Sequence, residues 1–211
     1  MTPTLLHPTY FGSIANYVAL AKAEKILFED CDNYQKQSYR NRCYVYGANG
    51  KLLLNLPILH SGIKGKKRLY RDIKIEHQFN TLQIHWKSLQ SAYRTSPYFE
   101  FYEDELAPLF ENKPKFLMDL NYQCMEFVLD VLQITTDFSK TNEFHLDPGG
   151  VNDQRELVNC KNNTIGKSFD KYIQVFNSKH GFIPNLSILD LLFNEGPNAI
   201  AYLEKQRFME N

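Results

Sequence analysis

Apolar positions along the chain change their period several times, and each change marks an element. Residues 4–7 read as a short strand, and Ile14, Tyr17, Val18 and Ala21 then recur at helical spacing behind Ser13. Residues 25–29 hold a second apolar run, Ile26, Leu27 and Phe28. Strand, helix and strand in so short a span predict a parallel β-α-β unit with a right-handed crossover. Residues 42–46 and 51–56 alternate on either side of Gly47-Ala48-Asn49-Gly50, the signature of a hairpin, with Leu52, Leu54 and Leu56 facing the core. Residues 73–75 and 135–138 are further candidate strands.

Beyond the hairpin the period becomes helical. Phe79, Leu82, Trp86, Leu89 and Tyr93 share one face, and a second helix follows Ser96-Pro97 with Phe99, Tyr102, Leu106 and Leu109 inward. Pro108 is expected to kink or end it. Residues 116–133 carry two apolar stripes beside a narrow polar face, so that helix is expected to be mostly buried. Residues 143–166 are polar and read as an insertion or lid. Ser187, with Asp190 three residues on, caps another helix, and Gly196-Pro197 separates it from a last one. The prediction is one α/β domain over residues 1–211: an N-terminal parallel β-α-β unit, a hairpin extension and a helical C-terminal half.

Composition changes this picture little. A hydrophobic fraction of 43% and an aromatic fraction of 14% suit a packed core. The formal net charge of zero gives no general attraction to nucleic acid or membranes. No apolar stretch approaches the roughly twenty residues of a membrane span, and no signal peptide opens the chain, so a cytoplasmic location is expected. Cys31, Cys43, Cys124 and Cys160 are scattered without CxxC spacing, which predicts free thiols and no zinc site. No motif names a cofactor, and the Walker, GxGxxG, HExxH and GxSxG patterns are all absent.

Candidate chemistry gathers in residues 30–42, a polar connection much longer than the usual four to six residues. It leaves the carboxyl end of a parallel strand, as does the loop containing Tyr10, and ligands bind at such an edge. Tyr34, Gln35, Lys36, Ser38, Arg40, Asn41 and Arg42 are recognition residues. Lys36, Arg40 and Arg42, helped by the free amides of the helix at Ser13, are expected to hold a phosphate or carboxylate. The plainer alternative pairs Arg42 with Asp30 or Asp32. For proton transfer the candidates are Asp30, at a strand end, and His85, at the border of a buried helix face. Lys64, Lys66, Lys67, Arg68, Arg71 and Lys74 form a basic segment that reads as a solvated loop or as a flap over the ligand.

Several separated motifs carry a family resemblance. They are Pro8 with Tyr10-Phe11-Gly12; Tyr34-Gln35-Lys36 with Ser38 and Arg40-Asn41-Arg42; Leu54 with Leu56-Pro57; Tyr93 with Pro97-Tyr98-Phe99; and residues 187–196. Together they resemble the WbqC-like protein family along nearly the whole chain. The resemblance implies a role linked to bacterial O-antigen clusters, as a glycine, aminoacyl or sugar-modifying transferase. The expected partner is then a small phosphate-bearing ligand, not nucleic acid. A non-catalytic binder of an anionic glycan or protein is the rival. A third reading follows from the opening strand, loop and helix, which resemble those of nucleotidyltransferases. Their HxGH histidines are reduced here to His7, which precedes the loop.

Overall fold

Two apolar tripeptides begin a parallel sheet. β1 (Thr4–Leu6) and β2 (Ile26–Phe28) pair in parallel, Thr4 opposite Ile26 and Leu6 opposite Phe28. Between them runs α1 (Ile14–Ala21), buried from Ile14 to Leu20. A helix buried on all sides must have neighbours around it, and the C-terminal helices supply them. The structure, a computed structural model, describes residues 2–59, 67–161 and 165–208. Lys64 and Lys66 of the basic segment lie outside the described residues.

The hairpin follows as β3 (Arg42–Gly47) and β4 (Gly50–Asn55), an antiparallel pair separate from the main sheet. Leu54 and Leu56 are buried, but Leu52 is exposed, as is Leu53. β3 is mostly buried while β4, the outer strand, is buried only at Leu54, so alternation does not bury every inward position. Residues 73–75 make isolated bridges, Ile75 to Ile58 and Lys74 to Phe116, instead of a strand.

Three helices fill the middle: α2 (Thr81–Tyr93), α3 (Phe99–Glu111) and α4 (Leu117–Val131). Pro108 sits in the last turn of α3, which ends three residues later. Phe79 precedes α2 and is exposed, so it does not belong to the buried stripe. Phe110 stacks on Phe11 at 5.6 Å and on Trp86 at 5.3 Å between centroids, joining α3 and α2 to the loop after β1.

β5 (Phe138–Lys140) then pairs with β2, and β6 (Asn152–Asp153) pairs with β1, both parallel. The sheet order is β5-β2-β1-β6. The polar stretch 143–166 is therefore more than an insertion: it contains a strand of the sheet. α5 (Asn177–His180), α6 (Ile188–Glu195) and α7 (Ala199–Lys205) complete the chain. Ser187 caps α6 through the Leu189 amide, 3.3 Å from its Oγ. The Asp190 carboxylate does not fold back onto that cap. Fully buried, it accepts from Tyr93 at 2.6 Å and Gln174 at 2.9 Å, and from Tyr172.

Candidate functional site

The carboxyl ends of β1 and β2 carry His7 and Glu29 into the same region, because their strands are adjacent and in register. Glu29 is buried, and its Oε1 accepts from the Cys31 amide and the Thr141 hydroxyl, each at 2.8 Å. Three residues on, Asp32 Oδ2 accepts from Arg40 Nη2 at 2.7 Å. Arg40 is wholly buried, and its guanidinium lies 5.2 Å from the Tyr70 ring centroid. The same Nη2 is 2.9 Å from His7 Nε2. A guanidinium nitrogen only donates, so Nε2 is the acceptor and the neutral ring carries its proton on Nδ1. Burial pushes the His7 pKa well below its ordinary value, and the charges of Arg40 and Arg155 add to this; the Glu29 backbone pulls weakly the other way.

From the other side of β1 come Asp153 and Arg155. Arg155 grips Asp153 with Nε at 2.9 Å from Oδ1 and Nη2 at 2.6 Å from Oδ2. This pairing holds the Asp153 carboxyl below the usual carboxylate range. Arg155 Nη1 also reaches Glu29 Oε2 at 3.4 Å and donates to the His145 carbonyl at 2.8 Å. Its plane lies 5.1 Å from the Phe144 ring centroid. A cavity of about 380 Å³ opens between these groups. His7, Asp32, Arg40, Asp153 and Arg155 line it, with Gln35, Glu156 and Asn159 at its polar wall and Phe144, Leu146 and Val158 at its apolar wall. The chain leaves β1 toward β2 on one side while β6 pairs on the other, and crevices at such reversals are where open parallel sheets bind ligands.

The sequence model of the WbqC-like protein family matches residues 7–168 and 159–202. The chain belongs to the WbqC-like protein family. "Uncharacterized protein Rv1507c" of Mycobacterium tuberculosis (strain ATCC 25618 / H37Rv) is 25% identical over 205 residues, covering 85% of this chain and 87% of the relative. No solved structure matches the chain. The WbqC-like match opens at His7 and spans every residue named around the cavity.

Of the residues singled out from sequence, the structure brings Gln35 and Arg40 to the cavity wall. Lys36 is exposed, and Ser38 is buried behind the wall, donating to the Gln35 carbonyl at 2.8 Å. Tyr34 packs near Tyr70, 6.5 Å between centroids. Asn41 turns away and donates to the Leu56 carbonyl at 2.8 Å, holding the 30–42 connection against the end of β4. Arg42 is half-buried in β3 and takes no part in an ion pair among the described residues. Tyr10 is buried and its hydroxyl meets His85 Nδ1 at 2.9 Å; burial pushes the His85 pKa down to about 4. Asp30 accepts from the Tyr122 hydroxyl, with Lys140 Nζ at 3.9 Å. Asp30, Tyr10, His85 and Arg42 do not line the cavity.

Nor are the first amides of α1 free for an anion. Ser13 donates to Asn16 Oδ1 at 3.1 Å, Ile14 to the Leu186 carbonyl at 2.9 Å and Ala15 to Asn185 Oδ1 at 2.9 Å. Among the described residues no group of three or more His, Cys, Asp or Glu side chains is placed to hold a metal ion, and all four cysteines are free. Sequence reasoning missed His7, Glu29, Asp32, Asp153, Arg155 and Glu156 as site residues. His7 and Glu29 were visible by the same argument that favoured Asp30, since all three close parallel strands. Asp153 and Arg155 had no such signal.

Proposed function

We propose that the protein is a transferase of surface-polysaccharide or sugar modification, and that it holds its sugar-bearing substrate in the cavity over β1 and β6. The observation that carries this reading is the convergence of His7, Asp32, Arg40, Asp153 and Arg155 at the ligand edge of the parallel sheet. Membership of the WbqC-like family supports the polysaccharide setting. Paired arginines and carboxylates beside an apolar wall suit a sugar, whose hydroxyls both donate and accept while its C–H face packs on Phe144, Leu146 and Val158. Asp32 and Asp153 orient the arginines, and Glu156, exposed at the wall, is the carboxylate available to take a proton from an acceptor.

A specific observation favours a second reading, a non-catalytic glycan binder. His7, the imidazole at the cavity among the described residues, has its Nε2 lone pair engaged by Arg40, so it is not poised as a base. One experiment separates the two. The purified chain is titrated with nucleotide sugars and activated aminoacyl donors by native mass spectrometry, and turnover is followed by release of the donor's leaving group. Binding that falls at least tenfold in Gln35→Ala and Glu156→Ala, together with turnover, supports the transferase. Binding without turnover supports the binder, and unchanged binding in both variants removes the cavity from either reading.

A further inference from the structure

Resting on the cavity as the sugar site, we infer that the sugar it selects carries a free ammonium group and not a phosphate. Three carboxylates line the cavity, those of Asp32, Asp153 and Glu156, against the two guanidiniums of Arg40 and Arg155. Both arginines are already committed. Arg40 lies 2.7 Å from Asp32, and Arg155 serves Asp153 at 2.6 Å and the buried Glu29 at 3.4 Å. Glu156 has no ion pair among the described residues. His7 contributes no positive charge while its Nε2 accepts from Arg40. A phosphate placed here meets more negative than positive charge at close range and is repelled, whereas an ammonium in the same surroundings is attracted.

A second observation favours a ligand that also supplies acceptors. Arg40 is fully buried, yet its Nε and Nη1 have no hydrogen-bond partner among the described residues, and the residue forms part of the cavity wall. Unpaired buried donors are costly, so a bound molecule that offers oxygen at this wall gains from them once a small side-chain shift brings them into reach. A hydroxyl or ring oxygen does so without bringing a charge against Asp32. An amino sugar offers both features in one ring: oxygens for Arg40 and an ammonium for Glu156. The volume, about 380 Å³, is near the lower end of the roughly 300–1,000 Å³ usual for ligand pockets and suits a single substituted ring.

The test uses the full chain and four probes, D-glucosamine, N-acetyl-D-glucosamine, D-glucose and D-glucose 6-phosphate, with dissociation constants read by ligand-observed NMR at pH 7. Glucosamine is expected to bind at least about fivefold tighter than glucose or the N-acetyl form, with the phosphate weakest. Glu156→Gln, at an exposed position, should abolish the preference for glucosamine over glucose and the N-acetyl form. Gln35→Trp, which fills the cavity from its exposed wall, should remove binding of all four. Equal affinities, or tighter binding of the phosphate, overturn the ammonium assignment while leaving the cavity as a sugar site. Binding that survives Gln35→Trp, or no binding of any probe, overturns the assignment and the sugar site together.

Discussion

Arg40 Nη2 lies 2.7 Å from Asp32 Oδ2, and the arginine has no solvent exposure. Removing one partner of such a pair leaves a buried charge uncompensated, which typically costs about 3–5 kcal/mol. Asp32→Ala should therefore lower the urea midpoint steeply. Arg40→Met added to Asp32→Ala should recover part of that loss, because the orphaned charge is then gone. An additive double-variant cycle would show that the two residues are not coupled.

The stability of the fold should depend on pH through its buried imidazoles. His85 titrates at about 4 when folded, against about 6.5 when unfolded. Between those values the unfolded chain binds more protons, so stability rises with pH and is lost as the pH falls from about 6.5 toward 4. His85→Gln should flatten that slope by an amount on the order of 3 kcal/mol, measured by urea denaturation from pH 4 to 7.5. The slope that remains belongs partly to His7, whose pKa is also lowered. A variant with the same slope as the parent would show that His85 does not titrate in this window.

Tyr93 joins two elements that are distant in sequence, accepting from the Tyr46 amide at 2.7 Å and donating to Asp190 at 2.6 Å. Tyr93→Phe removes one atom and leaves a buried donor and a buried acceptor without this partner. The expected cost is about 1–3 kcal/mol. It should also raise the Asp190 pKa, which burial has already lifted above the ordinary carboxylate value and which the tyrosine hydroxyl holds down. Carboxyl carbon chemical shifts followed through a pH titration read the second effect directly.

Gly196 ends α6 at φ 53°, ψ −126°, a backbone region open in practice to glycine alone. A Cβ there would lie 2.5 Å from the Tyr98 ring. Gly196→Ala should cost about 1–3 kcal/mol in strain and overpacking, seen as a lower melting temperature. Tyr98→Ala made alongside should return the steric part only.

What could be read in advance, and what could not, follows from the kind of signal each element carries. The β-α-β opening was legible because Ile26, Leu27 and Phe28 and the stripe through Ile14 and Val18 are apolar at the right periods, and burial enforces those periods. β6 was illegible because Asn152 and Asp153 are polar and exposed; they join the sheet through backbone pairing to Thr4 and Leu5, which leaves no trace in side-chain pattern. The cluster of Lys36, Arg40 and Arg42 was visible as charge, but which cation goes inside depends on an acceptor, and the acceptor was Asp32. The same loop was singled out for a ligand, while several of its side chains serve to anchor it: Asn41 to the hairpin, Ser38 to Gln35, Arg40 to Asp32.

The pairing of Thr4 with Asn152 joins positions 148 residues apart. At synthesis rates of about 5–20 residues per second, roughly 7–30 s pass between the appearance of β1 and that of its second neighbour. For that interval the growing chain holds an unpaired strand edge beside Arg40 and His7, with the far wall of the cavity still unmade. Such an edge invites contact with another nascent chain. The segment that completes the cavity thus also covers the edge of β1, leaving only the two-residue β6 at that side, and truncations before residue 152 should yield aggregates rather than a smaller protein without its ligand.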